Sequence, residues 1–215
     1  LVKKGLEHLN ATANQGIRAL AAVAGLKVGS LDTSAMSFGL IPRLNVAGRL
    51  AHADASLQLL TTTDADRAES LAEELQGLNT KRRELTERGF DEAMRQVEKR
   101  YGAGVVPSII IVGRKDWVPG ILGLIAARLG DQYYRPTIAL NVGDDLSRAS
   151  ARSIPEFNLV EALRECGDLF VKFGGHPQAA GFTIRTSDLP EFQRRLTTVA
   201  DHQLQGTDLT SKIEF

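Results

Sequence analysis

Ser108-Ile109-Ile110-Ile111-Val112 is a run rich in β-branched residues, the pattern of a buried strand. Pro119-Gly120-Ile121-Leu122-Gly123-Leu124-Ile125-Ala126-Ala127-Arg128-Leu129 follows, an apolar helix with small residues on one side. Pro136-Thr137-Ile138-Ala139-Leu140-Asn141 then reads as a second strand. Strand, helix and strand within about thirty-five residues predict a βαβ crossover with parallel pairing. The expected class is therefore α/β, a mixed, largely parallel sheet flanked by helices.

Toward the C-terminus, Leu146-Ser147-Arg148-Ala149-Ser150-Ala151-Arg152-Ser153-Ile154-Pro155 alternates small and basic residues and reads as a third strand or an edge. Ser150, Arg152 and Ser153 can offer hydroxyl and guanidinium groups to a phosphate. Phe157 to Arg164 reads as a short helix, and Asp168 to Val171 as a strand leading into Gly174-Gly175-His176. Two adjacent glycines free the backbone to take positive φ and approach a ligand closely. With an imidazole beside them they are hardware for handling phosphate, or a tight turn carrying a surface histidine. Ala179-Ala180-Gly181 allows close packing, and Phe182-Thr183-Ile184 reads as a strand. Asp188-Leu189-Pro190-Glu191 opens a last helix to about Gln203, and Lys212-Ile213-Glu214-Phe215 looks like the start of another strand.

Toward the N-terminus the period is helical. Asp64 to about Tyr101 repeats Leu71, Leu75, Leu78, Leu85, Phe90, Ala93 and Val97 at three- and four-residue steps, one long helix capped by Asp64 or Asp66. Lys81-Arg82-Arg83 and Arg88 on it read as a solvated face paired with Glu84 and Glu87. Residues 1–27 hold two shorter helices, the second capped by Asn10 or Thr12. Between them stands Pro42-Arg43-Leu44-Asn45-Val46-Ala47-Gly48-Arg49. On a straight helix Arg43, Asn45 and Arg49 cannot share one face; a bend at Gly48 brings them together. They suit a phosphate contact, or a capping amide with two solvated arginines. His52-Ala53-Asp54 supplies too few ligands for a metal and reads as a solvent-facing pair. Gly102-Ala103-Gly104 marks a boundary, dividing a helical connector region at 1–104 from an α/β domain at 105–215.

Composition narrows the classes. A hydrophobic fraction of 43% and charged fraction of 24% belong to an ordinary globular chain. No apolar run approaches a membrane span and no signal peptide opens the chain, so a cytoplasmic location is expected. Leu1, inside a helical pattern, reads as the start of an excised piece. The single Cys166 precludes an intrachain disulfide and suits a reducing compartment. With 26 basic and 26 acidic residues there is no global positive field, which argues against wholesale nonspecific nucleic-acid binding but leaves room for a local basic groove.

Taken together, Pro42 to Arg49, Ser150 to Pro155, and Gly174-Gly175-His176 through Gly181 resemble the C-terminal half of the RecJ family, single-strand-specific 5′→3′ DNA exonucleases of the DHH phosphoesterase superfamily. Trp117-Val118-Pro119-Gly120-Ile121-Leu122-Gly123, Arg135-Pro136-Thr137, and Leu78-Asn79 followed by Arg82 stand in the family's order. The resemblance implies a DHH-associated substrate-binding domain at 105–215 behind the helical connector. It implies single-stranded DNA as partner and a DHH catalytic domain, absent from this chain, holding Mn²⁺ or Mg²⁺. By the same resemblance His176 takes a catalytic role, and Arg43, Asn45, Arg49, Ser150, Arg152, Gly174 and Gly175 bind substrate. The chain departs from the family at Ala151, where Gly is common before the motif arginine, and at Val118, where a His or polar residue often follows the Trp. No metal ligands are expected here: the four histidines (His8, His52, His176, His202) form no set with clustered carboxylates. The alternatives are an oligonucleotide or cyclic-dinucleotide phosphodiesterase of the same superfamily and a noncatalytic single-strand-binding module. Stacking modules are usually rich in aromatics, which here make up only 6%.

Overall fold

The structure, a computed structural model, describes residues 1–102, 104 and 106–210. The strand expected from Lys212 lies outside the described residues. The chain divides into two compact units, Leu1–Leu85 and Thr86–Phe215.

The first unit is helical: α1 Val2–Asn10, α2 Gln15–Val23, a π-helical stretch Ala35–Leu40, α3 Ile41–Leu50, α4 Asp54–Thr61 and the first part of α5, Ala65–Tyr101. Asp64 caps α5, its carboxylate accepting the Arg67 N–H at 3.0 Å. The cap of α2 is Asn14, which accepts from the Ile17 N–H at 2.9 Å, rather than Asn10 or Thr12. Asn10 is needed elsewhere. Its Oδ1 accepts from Gly29 and Leu31 N–H groups at 3.0 and 2.7 Å, pinning the loop after α2. The core of this unit gathers Leu20, Leu40, Val46, Leu59, Leu71 and Leu75, so the apolar stripe of α5 is buried here.

The second unit is a five-stranded sheet in the order β1-β2-β3-β5-β4. Its strands are β1 Ile110–Arg114, β2 Thr137–Asn141, β3 Leu146–Arg152, β4 Phe170–His176 and β5 Ala179–Arg185. Helix α6, Leu122–Tyr133, joins β1 to β2 as the predicted right of way for a parallel pair, and β1 and β2 are indeed parallel. The sheet is mixed, as expected, but largely antiparallel rather than largely parallel: β2–β3, β3–β5 and β5–β4 all run antiparallel. The connections explain it. Residues 142–145 and 177–178 are too short for crossovers and can only make hairpins. β3 consequently lies inside the sheet, and β4 is one of its two edge strands, β1 being the other.

Helices α7, Leu159–Arg164, and α8, Leu189–Gln203, bury one sheet face through Ala162, Leu163, Phe192, Leu196 and Ala200 against Ala149, Ala151, Ala180, Phe182 and Ile184. Asn158 caps α7 through the Glu161 N–H. Cys166 lies in this core, where burial pushes its thiol up to about 11 and leaves it protonated and unreactive at neutral pH. The end of α5 within this unit presents Gly89 to Ile125 and Trp117, and Glu92 accepts the Trp117 indole N–H at 2.8 Å. A Cβ added at Gly89 falls 2.6 Å from Ile125 Cδ1, so the tip of that side chain would have to shift.

Candidate nucleic-acid interface

Register places the site. β3, β5 and β4 align so that Arg152, Ala179 and His176 form one cross-strand row, and Ser150, Gly181 and Gly174 the next. Side chains alternate faces along a strand, so all six lie on the face opposite the α7–α8 core. Part of that face is covered by α6. An added Cβ at Gly123, in its first turn, falls 2.8 Å from Arg152 Nη2 and 3.0 Å from Ser150 Oγ. The N-terminal turn of α6, with its partial positive charge, thus abuts the serine and arginine. Arg152 Nη1 donates to the Ala151 carbonyl at 2.8 Å and to Ser150 Oγ at 3.4 Å, which orients the guanidinium along the sheet. Over β5 and β4 the face opens into a cavity of about 590 Å³, lined by Ser150, Gly174 and Gly181 among others.

The glycine pair does not form the tight turn read from the sequence. Both glycines lie within β4, paired with Gly181 and Ala180, and the turn falls at Pro177-Gln178. That turn is held from outside: Ser153 N–H donates to the Gln178 carbonyl and Leu159 N–H to the Pro177 carbonyl, both at 3.0 Å. Ser153 Oγ is spent on the Phe157 carbonyl at 2.7 Å, so this hydroxyl serves the loop. The two glycines differ in purpose. At Gly175 an added Cβ meets Ala179 O and Ala180 Cα, each at 2.5 Å, so the hairpin requires it. At Gly174 an added Cβ meets nothing within 4 Å. With Gly181 opposite, Gly174 makes a stretch of cavity floor that is bare backbone. β4 is an outer strand, so one of its edges carries no ladder and presents backbone N–H groups to solvent. His176 is exposed and makes no hydrogen bond or ion pair among the described residues.

Arg43, Asn45 and Arg49 belong to the first unit. α3 runs unbroken through Gly48, so the bend does not occur. At about 100° per residue Asn45 and Arg49 share a side and Arg43 stands apart. Arg43 is half-buried; its Nε donates to Gln76 Oε1 at 2.6 Å and its Nη1 to the Gly39 carbonyl at 2.7 Å. Asn45 is exposed and caps nothing. The reading of Arg82 as part of a solvated face is corrected: it is half-buried, and Glu87 instead pairs with Arg128 at 2.6 Å. Burial, and then the nearby Arg49, Arg83 and Arg43, lower the Arg82 pKa. Burial, then Arg83, does the same to Arg43. Arg43, Arg82 and Arg83 border a cavity of about 630 Å³ with Asn79, Asp32 and Phe38. Such concentrated like charge is costly until an anion enters. The burial of Arg82 is what the charge run does not show, since a run on a helix gives no sign of which member will be covered. His52 and Asp54 are both exposed, and among the described residues no group of three or more His, Cys, Asp or Glu could hold a metal.

Residues 103–201 match the DHHA1 domain family. The chain is 39% identical over 206 residues to the single-stranded-DNA-specific exonuclease RecJ of Bacillus subtilis, covering 95% of this chain and 26% of that protein. The solved structure of Thermus thermophilus RecJ in complex with Mn²⁺ superposes with a TM-score of 0.82 at 31% identity, over 94% of this chain and 29% of that one. An exonuclease RecJ bound to manganese gives 0.80 at 30% identity, over 97% of this chain and 51% of that one. The chain is similar to RecJ proteins along almost its whole length, and its residues 103–201 match the DHHA1 domain. The RecJ resemblance read from the motifs thus extends through both units. The chain spans 26% to 38% of the length of the curated relatives it matches. No described helix is long and apolar enough to cross a membrane.

Proposed function

We propose that this chain is the substrate-gripping part of a RecJ-type 5′→3′ exonuclease that hydrolyses single-stranded DNA in repair and recombination. Residues 1–104 connect a metal-binding DHH domain, outside this chain, to the DHHA1 domain at 105–215. The observation that carries the reading is the pair of adjacent rows on the open sheet face, Arg152 with His176 and Ser150 with Gly174. Arg152 offers a guanidinium fork to phosphate oxygens, Ser150 a hydroxyl, and the glycine floor lets the sugar-phosphate backbone lie close. His176 and the outer-edge N–H groups of β4 steady charge developing on the scissile phosphate. Arg43, Asn45 and Arg49 make further backbone contacts. Mn²⁺ or Mg²⁺, when bound by a domain outside this chain, would supply activation of the attacking water. Among the described residues the donor set does not fit a two-metal centre, and the chain by itself is expected to leave DNA intact.

The test is binding of a 5′-phosphorylated single-stranded oligonucleotide across a salt series. Arg152→Ala is expected to weaken binding about tenfold and to reduce the salt slope by about 0.7, the value of one single-strand phosphate contact. Gly174→Ala, whose added Cβ meets nothing within 4 Å, is expected to weaken binding with unfolding unchanged. Wild-type affinity and slope in Arg152→Ala would overturn the reading.

A further inference from the structure

The row beyond Ser150 and Gly174 holds Arg148, Thr183 and Lys172, on the same open face. Both cations are exposed, and neither takes part in a hydrogen bond or ion pair among the described residues. Arg114, Arg128, Arg194 and Arg195 in the same unit are each matched to a carboxylate. Arg148 and Lys172 border the 590 Å³ cavity together with Ser150 and Gly174.

The fold goes out of its way to keep Lys172 there. A register shift separates Phe170, opposite Ile184, from Lys172, opposite Thr183, leaving Val171 as an extra residue. Without that bulge, strict alternation would put Phe170 and Lys172 on the same face. With it, Phe170 turns to the core and packs on Phe182 and Phe192 at 4.7 and 5.6 Å between ring centroids, while Lys172 stays on the cavity face.

We infer that Arg148 and Lys172 form a second phosphate-binding row. The trough then holds a single strand by two phosphates, one beside Arg152 and His176 and one beside Arg148 and Lys172. Four residues of β3 separate the rows, about 13 Å, so a strand of several nucleotides reaches both while a dinucleotide reaches one. This deepens the proposed function and rests on it: the ligand class becomes an oligonucleotide rather than a dinucleotide.

The experiment measures binding of 5′-phosphorylated dT₂ and dT₆ to this chain, to Arg148→Gln/Lys172→Gln and to Arg152→Ala, from low to moderate salt. The double variant is expected to bind dT₆ about tenfold more weakly, with a salt slope smaller by about 0.7 to 1.4, and to bind dT₂ as the parent does. Unchanged dT₆ affinity and slope in the double variant, with loss in Arg152→Ala, overturns the second row and leaves the first. An equal loss for dT₂ and dT₆ in the double variant also overturns it, because the row then acts as diffuse charge. No effect of Arg152→Ala on either ligand, or no binding by the parent chain at low salt, overturns both.

Discussion

Replacing His176 by alanine in the full-length enzyme is expected to lower turnover on single-stranded DNA by about 10²–10³-fold, the usual effect of removing one donor from developing charge. The fold does not depend on this side chain. It is exposed on the outer strand and makes no hydrogen bond or ion pair among the described residues. Its neighbours in the row, Ala179 and Arg152, hold their places through the β3–β5 ladder. Stability should therefore be unchanged, and the loss should fall on kcat rather than KM, because a group that acts on developing charge contributes little to ground-state binding. Single-turnover hydrolysis of a 5′-phosphorylated strand reads the effect. Turnover within about threefold of the parent would remove His176 from the chemistry.

Gly175→Val is expected to act in the opposite way, on folding first. The added Cβ falls 2.5 Å from Ala179 O and Ala180 Cα and 2.7 Å from Ala180 Cβ. Two of those atoms are backbone, on the neighbouring strand of a hairpin whose turn is clamped by Ser153 and Leu159, so neither side can give way easily. A cost of about 3 kcal/mol is expected, at the upper end for overpacking. Trp117, the single tryptophan, lies in this unit, so its fluorescence in a urea titration follows the relevant transition. A lower midpoint with an unchanged slope is the expected result. An unchanged midpoint would show that the hairpin opens freely, and that Gly175 serves the ligand rather than the fold.

Much of the architecture is legible in the residues because its signals are local. The β-branched run at 108–112, the small-residue helix after Pro119 and the long leucine stripe from Asp64 each announce an element through its own period. The errors share one physical origin. Gly174-Gly175 before a histidine and a proline has the composition of a turn, yet the alternation of Lys172, Gly174 and His176 is that of a strand with one face to preserve. Only pairing with β5 decides between them. The expectation of a mixed, largely parallel sheet rests on the one crossover the sequence displays, whereas β3 and β4 take their directions from short loops. Arg82 shows the same limit: which side of a charged helix is covered depends on α3 and is set by tertiary packing. Asn10 and Asn14 are equivalent as capping residues in composition, and the loop that needs Asn10 is distant in sequence.

Amide chemical-shift mapping of the isotopically labelled chain, titrated with a 5′-phosphorylated single-stranded oligonucleotide, tests the central claim most directly. The largest shifts are predicted at Ser150, Arg152, Gly174 and Gly181, the residues of the open sheet face. Saturating binding that leaves these amides unmoved and shifts α8 or the turn at Pro177 instead would contradict it.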